Sequence, residues 1–218
     1  MTDTKELIFQ TAVQLFNKLG VNNVTLRTIA KEIGISTGNL AYHYKNKQLI
    51  IEDAFKRMEV ERTSILTGVQ EIPSIEKIYD QMVPVYLLEK KYLFLNLDAI
   101  HIIRNHPEFA QLQRDHIEKK IDYIRAVLNL SVATGNMLPE KTEGEYDRIA
   151  QSQWLLMYFW LTQKEIRGID SDNIEELQQS VWDLALPKMT EKGLYKYRKL
   201  FNRKEIDLKV EQRSERRE

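Results

Sequence analysis

The chain has 218 residues, 32 Lys+Arg against 32 Asp+Glu and a formal net charge of zero, with 43% hydrophobic and 29% charged residues. This is ordinary globular usage, so wholesale disorder and fibrous repeats are excluded, and the length allows one large domain or two small ones. The absence of cysteine excludes disulfide frameworks, thiolate metal sites and cysteine nucleophiles.

The first residues, Met1 to Glu6, are polar and acidic with no apolar region behind them, unlike a signal peptide. No apolar run reaches the ~18 residues of a membrane span, so a soluble cytoplasmic protein without a membrane partner is expected. Ile8, Ala12, Leu15, Phe16 and Leu19 then repeat as one helical stripe, opened by Asp3-x-x-Glu6 and closed by Gly20. A short helix is predicted from Thr25 to Glu32, a turn at Gly34, a second short helix from Ser36 to His43, and a fourth helix opening near Lys47. After Pro73, Ile75 to Tyr86 keep helical spacing around Pro84, a candidate kink. Further helices are predicted over Leu93–Arg104, from Pro107 toward Gly135, over Glu145–Arg167, and from an Asn173 cap to Pro187. Strand alternation is missing, so the fold class is all-α. The expected domains are 1–46, 47–200 and a charged tail, 201–218.

The zero net charge is unevenly spread: residues 1–60 carry +2, residues 61–191 carry −7 and residues 192–218 carry +5. Arg27, Lys31, Lys45 and Lys47 are offset only by Glu32 within one window, which suits nucleic acid and equally suits a solvated face. The segment Val24 to Leu40 has a small residue, Ala30, where two helices would cross, and Gly34 where the turn needs positive φ. Ile29, Ile33, Ile35 and Leu40 form the apolar seam, and Thr25 and Ser36 are N-caps. This is the pattern of a helix-turn-helix, and geometry alone leaves an ordinary αα corner equally open. The second helix favours DNA. Ser36, Thr37, Gly38, Asn39 and Ala41 are small enough for a major groove, and Tyr42, His43 and a Lys45-Asn46-Lys47 exit follow.

From about Thr4 to Ile50 the chain resembles the DNA-binding domain of the TetR family of bacterial transcriptional regulators. The matching residues are Ile8, Ala12, Leu15-Phe16, Gly20, Val24-Thr25, Ile29-Ala30, Gly34, Ser36, Gly38, Leu40, His43-Tyr44 and Lys47. The resemblance implies an N-terminal three-helix DNA-binding domain with a helix-turn-helix and a larger helical ligand-binding and dimerisation domain. It also implies a homodimeric repressor, bound to a pseudo-palindromic double-stranded operator and released by a small-molecule effector of unknown identity. The alternative is a helical DNA-binding protein, architectural or without an inducer. Carried over by position, Arg27, Ser36, Thr37, Gly38, Asn39, Tyr42, His43 and Lys47 are the candidate DNA contacts. Arg27 and Asn39 are expected to read bases, and Lys47 to hold a phosphate. Tyr44 is assigned to core packing, and His43 to either packing or phosphate. One position departs from the family: Ala41 stands where members usually carry an aromatic, most often Tyr, which leaves part of that role to Tyr42.

Trp154, Met157 and Leu161, with Leu177, Val181 and Leu184, form stripes suited either to a monomer core or to a dimer interface; the resemblance implies the dimer. It also implies a pocket, for which Tyr86, Phe94, Leu97, His101, Arg104, His116, Tyr123 and Met157 are the candidate lining. Enzyme chemistry has no constellation to rest on. Asp98-x-x-His101 is the one near match to a di-iron motif, and the chain has no Walker loop, no nucleophile elbow and no Gly-x-Gly-x-x-Gly. No enzyme activity, cofactor or metal is expected. The basic residues of the C-terminal end, interleaved with acids, read as a solvated helix or an auxiliary contact.

Overall fold

The computed structural model describes residues 3–67, 75–169 and 173–200. Their helices are α1 (Thr4–Leu19), α2 (Leu26–Glu32), α3 (Thr37–His43), α4 (Lys47–Thr67), α5 (Ile75–Lys91), α6 (Phe94–Leu97), α7 (Ala99–Asn105), α8 (Pro107–Ala133), α9 (Glu145–Arg167) and α10 (Ile174–Asp183). An eleventh, α11, covers residues 191–200. Single 3₁₀ turns occupy Val21–Asn23 and Leu186–Lys188. Among the described residues the only β pairing is an isolated bridge between Met137 and Met189. The fold is all-α.

Local chemistry sets the boundaries. The Asp3 carboxylate accepts the Lys5 amide at 3.1 Å to open α1, and Gly20, at φ 78°, closes it. Glu6 does not cap that helix; its carboxylate goes to Gln10 and Arg57. Asn173 accepts from the Glu176 amide at 3.2 Å to open α10. Pro84 lies inside α5 without ending it. The helix expected over Leu93–Arg104 is corrected to two, α6 and α7, interrupted at Asp98 (φ −98°, ψ 10°). At the break Asp98 Oδ2 accepts the Val21 amide at 2.8 Å, and at the start of α6 Asn17 Oδ1 accepts the Phe94 amide at 2.9 Å.

The described residues pack as two compact units. One is drawn from Met1–Gly68, Val83–Glu118 and Tyr158–Asp172, the other from Val69–Met82, Lys119–Met157 and Asn173–Glu218. In the first, Ile8, Phe9, Ala12 and Phe16 of α1 bury against Ile29 and Ala30 of α2 and Leu40 of α3. Each large side chain so buried contributes about 1.5–3 kcal/mol. Ile50, Ile51 and Ala54 of α4 join the same cluster, so packing runs on across residues 46 and 47, where the sequence reading placed a division. In the second unit, buried Gln178 donates to the Tyr79 carbonyl at 3.2 Å and Gln153 to the Val181 carbonyl at 3.1 Å. Tyr146 is anchored by its hydroxyl on the Leu138 carbonyl, and Lys188 pairs with Glu145. The expected tail, residues 201–218, lies outside the described residues.

Candidate nucleic-acid interface

The helix-turn-helix is assembled by side-chain caps on both helices. Thr25 Oγ1 accepts the Thr28 amide at 3.1 Å to start α2, and Ser36 Oγ accepts the Asn39 amide at 3.1 Å to start α3. Gly34, at φ 72°, reverses the chain between them, a conformation that costs an L side chain about 1–2 kcal/mol. The Ile35 amide returns to the Ala30 carbonyl at 3.0 Å and closes the end of α2. Leu40 is completely buried, which orients α3 so that Ser36, Thr37, Gly38, Asn39 and Tyr42 all face solvent. Arg27 and Lys31 of α2 and Lys45 and Asn46 beyond α3 are exposed as well. Tyr42 is 86% exposed and meets the half-buried His43 edge to face at 5.3 Å.

Gly38 is informative because the fold does not require it. Its φ is not positive, and among the described residues an added Cβ would meet nothing closer than Ser36 Oγ at 3.9 Å. A glycine inside a helix costs about 1 kcal/mol relative to alanine. A residue that costs stability and relieves no internal crowding suits a surface on which another molecule must come close to the backbone.

Behind this face the exit of α3 is fixed by ionic groups. Tyr44 is buried, as expected, and its hydroxyl donates to Asp53 Oδ2 at 2.5 Å. Arg57 bridges Asp53 at 3.1 Å and Glu6 at 2.6 Å, and its guanidinium lies 3.8 Å from the centre of the Phe9 ring. Burial, with the Asp53 carboxylate beside it, pushes the Tyr44 phenol well above its ordinary value. Burial alone would raise the Asp53 carboxyl, but the hydrogen bonds from Tyr44 and Arg57 outweigh it and hold it below the usual range.

Lys47 is corrected. Its Nζ donates to the carbonyls of Val21 at 2.5 Å and Val24 at 3.1 Å, so this ammonium is committed inside the protein rather than extended toward a phosphate. Burial pushes its pKa down, against the opposing charge of Asp98. Asn46, unassigned in the sequence, accepts the Leu49 amide at 3.0 Å and caps α4.

The residues expected to line a pocket fall in both compact units. Phe94 is fully buried with its ring 5.1 Å from Phe16, while Leu97 and Arg104 are exposed. His101 approaches Asn22 at 3.3 Å and Asn105 at 3.1 Å. The break at Asp98 puts Leu97 on a different helix from His101 and Arg104. Tyr86 is buried in the first unit; in the second, Tyr123 donates to Gln81 at 3.1 Å and Met157 is half-buried. His116 belongs to a polar cluster the sequence reading missed. Arg62, 5% exposed, contacts His116 and donates to Glu59 at 2.5 Å and Glu89 at 2.9 Å, while Asn96 donates to Glu89 at 3.0 Å. Arg62 Nε is buried and has no hydrogen-bond partner among the described residues. Gln113 in the same unit donates to the Tyr158 hydroxyl at 3.2 Å.

The association stripes divide in the same manner. Leu161, Leu177 and Val181 are buried within the chain itself, which removes them from the candidate interface. Trp154 and Met157 are half-buried and Leu184 is exposed. The exposed apolar positions of α9 are Leu155, Phe159 and Ile166, the last two 47% and 79% exposed. No helix among the described residues is long and apolar enough to cross a membrane.

Comparison with known proteins agrees with this architecture. A family model described as bacterial regulatory proteins, tetR family, matches residues 8–54, and a second, the TetR bacterial transcriptional repressor model, matches residues 57–197. The HTH-type transcriptional regulator YerO of Bacillus subtilis (strain 168) is 39% identical over 54 residues, 25% of this chain and 19% of that protein. The chain therefore aligns with about a fifth of that relative's length. A TetR-family regulator from Marinobacter aquaeolei VT8 superposes with a TM-score of 0.78 at 24% identity, over 91% of this chain and 99% of the other. A transcriptional regulator from Saccharomonospora viridis, solved in complex with choline, gives a TM-score of 0.63 at 16% identity over 84% and 95%. These two structures share the fold. With both segments matched in order and the helix-turn-helix formed by capped, outward-facing residues, the chain belongs to the TetR family of DNA-binding transcriptional regulators.

Proposed function

We propose that this chain is a homodimeric repressor that reads a pseudo-palindromic operator and releases it on binding a small molecule. The observation that carries the operator reading is the solvent-facing first turn of α3, where the fold leaves Gly38 uncrowded. Arg27 and Asn39 have side chains able to bond bidentately to guanine and adenine edges. Thr37 and the Ser36 hydroxyl proton suit phosphate oxygens, and Lys31 and Lys45 supply the sequence-independent attraction assigned to Lys47 by sequence. Tyr42 takes the place of the aromatic missing at Ala41.

Association is proposed through Leu155, Phe159 and Ile166, exposed apolar residues on one side of α9 that would meet their own copies across a two-fold axis. A dimer would then set the two α3 helices about 34–36 Å apart on successive major grooves. Effector response is supported by the choline complex of the Saccharomonospora viridis regulator. Within this chain the buried Arg62 with half-buried Glu89 and His116 is the polar centre such a ligand would meet, because a buried guanidinium nitrogen without a partner among the described residues is costly to leave unmet.

Selection from randomised duplex DNA at about 0.15 M salt tests the reading. Recovery of a two-fold related motif supports it, and the bound duplex then reports which small molecules cause release. Retention of DNA without any motif would point instead to an architectural binder.

A further inference from the structure

Val21 is gripped from two sides by opposite charges. Its amide donates to Asp98 Oδ2 at 2.8 Å, from the corner between α6 and α7, and its carbonyl accepts from Lys47 Nζ at 2.5 Å, from the first residue of α4. The same ammonium reaches the Val24 carbonyl at 3.1 Å, at the far end of the 3₁₀ turn. Val21 and Val24 side chains are buried, so water is a poor substitute for these partners, and a buried backbone group left unpaired is costly. The placement in the chain gives the grip its consequence. Val24 stands immediately before the Thr25 cap of α2, the helix that carries Arg27. Lys47 opens the helix that follows the exit of α3. One side chain thus ties the entry of the first interface helix to the exit of the second. Asp98 ties the same turn to α6 and α7, beside the Asn17 bonds to the Lys91 carbonyl and the Phe94 amide, both 2.9 Å.

We propose that Lys47 and Asp98 are positioning residues for operator binding: holding Val21 by its carbonyl and its amide, they fix the spacing of α2 and α3 on the DNA, and Lys47 spends no charge on a phosphate. The inference rests on the reading of α2 and α3 as the sequence-specific DNA face.

The test compares Lys47→Met, Asp98→Ala and Asp98→Asn in the full chain, each checked for a wild-type helical spectrum. Affinity is measured for the selected operator and for a random duplex across a range of salt. Lys47→Met is expected to weaken the operator complex about tenfold, to leave the random duplex unchanged, and to keep the slope of log affinity against log salt. Asp98→Ala is expected to do the same, and Asp98→Asn, which retains an acceptor oxygen for the Val21 amide, to recover most of the loss. A slope reduced by about one on both duplexes would make Lys47 a phosphate contact and overturn the proposal. Equal losses on both duplexes at constant slope would reduce the pair to a purely structural role and overturn it too, as would wild-type operator affinity in Asp98→Ala. If Lys47→Met does not fold, the two Asp98 variants decide, because a carboxylate is not a phosphate contact. A wild-type protein that does not distinguish operator from random duplex would instead defeat the sequence-specific reading itself, and this inference with it.

Discussion

The Tyr44 hydroxyl donates to Asp53 Oδ2 at 2.5 Å, joining the exit of α3 to the second turn of α4, where Arg57 completes the chain to Glu6 of α1. The solvent-facing helix α3 is therefore held from behind by a charge-assisted bond rather than by apolar contact alone. Tyr44→Phe keeps the ring in the core and leaves a part-buried carboxylate short of one donor. A loss of about 1.5–3 kcal/mol in stability is expected, checked by urea unfolding. A change under about 0.5 kcal/mol would place this bond among the ordinary surface contacts.

The same network predicts an acid response. The Arg57 hydrogen bond holds Glu6 below its ordinary 4.5. Asp53 is raised by burial but lowered more by its bonds from Tyr44 and Arg57, to below its ordinary 3.8. Groups whose folded pKa is depressed stabilise the fold fully above their unfolded values and lose that contribution as pH falls through the folded ones. Wild-type stability should therefore decline from about pH 5 downward. Arg57→Met should be less stable at neutral pH and show a shallower decline, so that the two curves converge in acid. Parallel curves from urea midpoints across pH would count against this.

Gly38→Ala separates stability from function. With only Ser36 Oγ, at 3.9 Å, near the new methyl group, the helix should gain up to about 1 kcal/mol. The operator complex should weaken at the same time, because on the proposed reading DNA approaches the backbone where the methyl group would stand. Thermal melts and fluorescence anisotropy on the same sample read both, and unchanged operator affinity would remove Gly38 from the interface.

Arg27→Ala should cost about 1–3 kcal/mol of operator binding and relax preference at one base position. A uniform loss over all sequences would mean that Arg27 holds a phosphate. Tyr42→Ala, at a site 86% exposed, should change stability by no more than about 0.5 kcal/mol while lowering operator affinity.

Association is tested by contrasting two residues of α9. Phe159→Lys, at an exposed site, should shift sedimentation from dimer to monomer and weaken binding to the two-fold operator without unfolding the chain. Leu161→Ala, at a buried site, should instead cost about 2–5 kcal/mol of stability. A dimeric Phe159→Lys protein would defeat the assigned face.

The short helices around Gly34 were legible because their signals are local. A cap such as Thr25 or Ser36 bonds a backbone amide three residues on, and a positive φ at Gly34 follows from its own missing Cβ. The exposed side of α3 was legible for the same reason, since burial of Leu40 on so short a helix fixes the rest of its surface. The break at Asp98 was not, because the amide that draws its carboxylate belongs to Val21, 77 positions earlier in the chain. Nor was the employment of Lys47: a lysine opening a helix reads alike whether its ammonium meets water, phosphate or two carbonyls. On α9, apolar residues occupy every side, so periodicity could not say that Leu161 turns inward and Phe159 outward. The Arg62, Glu89 and His116 cluster draws on three helices, and no spacing within one helix announces it. Sequence by itself determined the helical class, the caps and the outward-facing turn of α3, because each depends on atoms within one turn of chain. Which charged groups pair, and which apolar face stays uncovered, depended on atoms that only the tertiary structure brings within a few ångströms of one another.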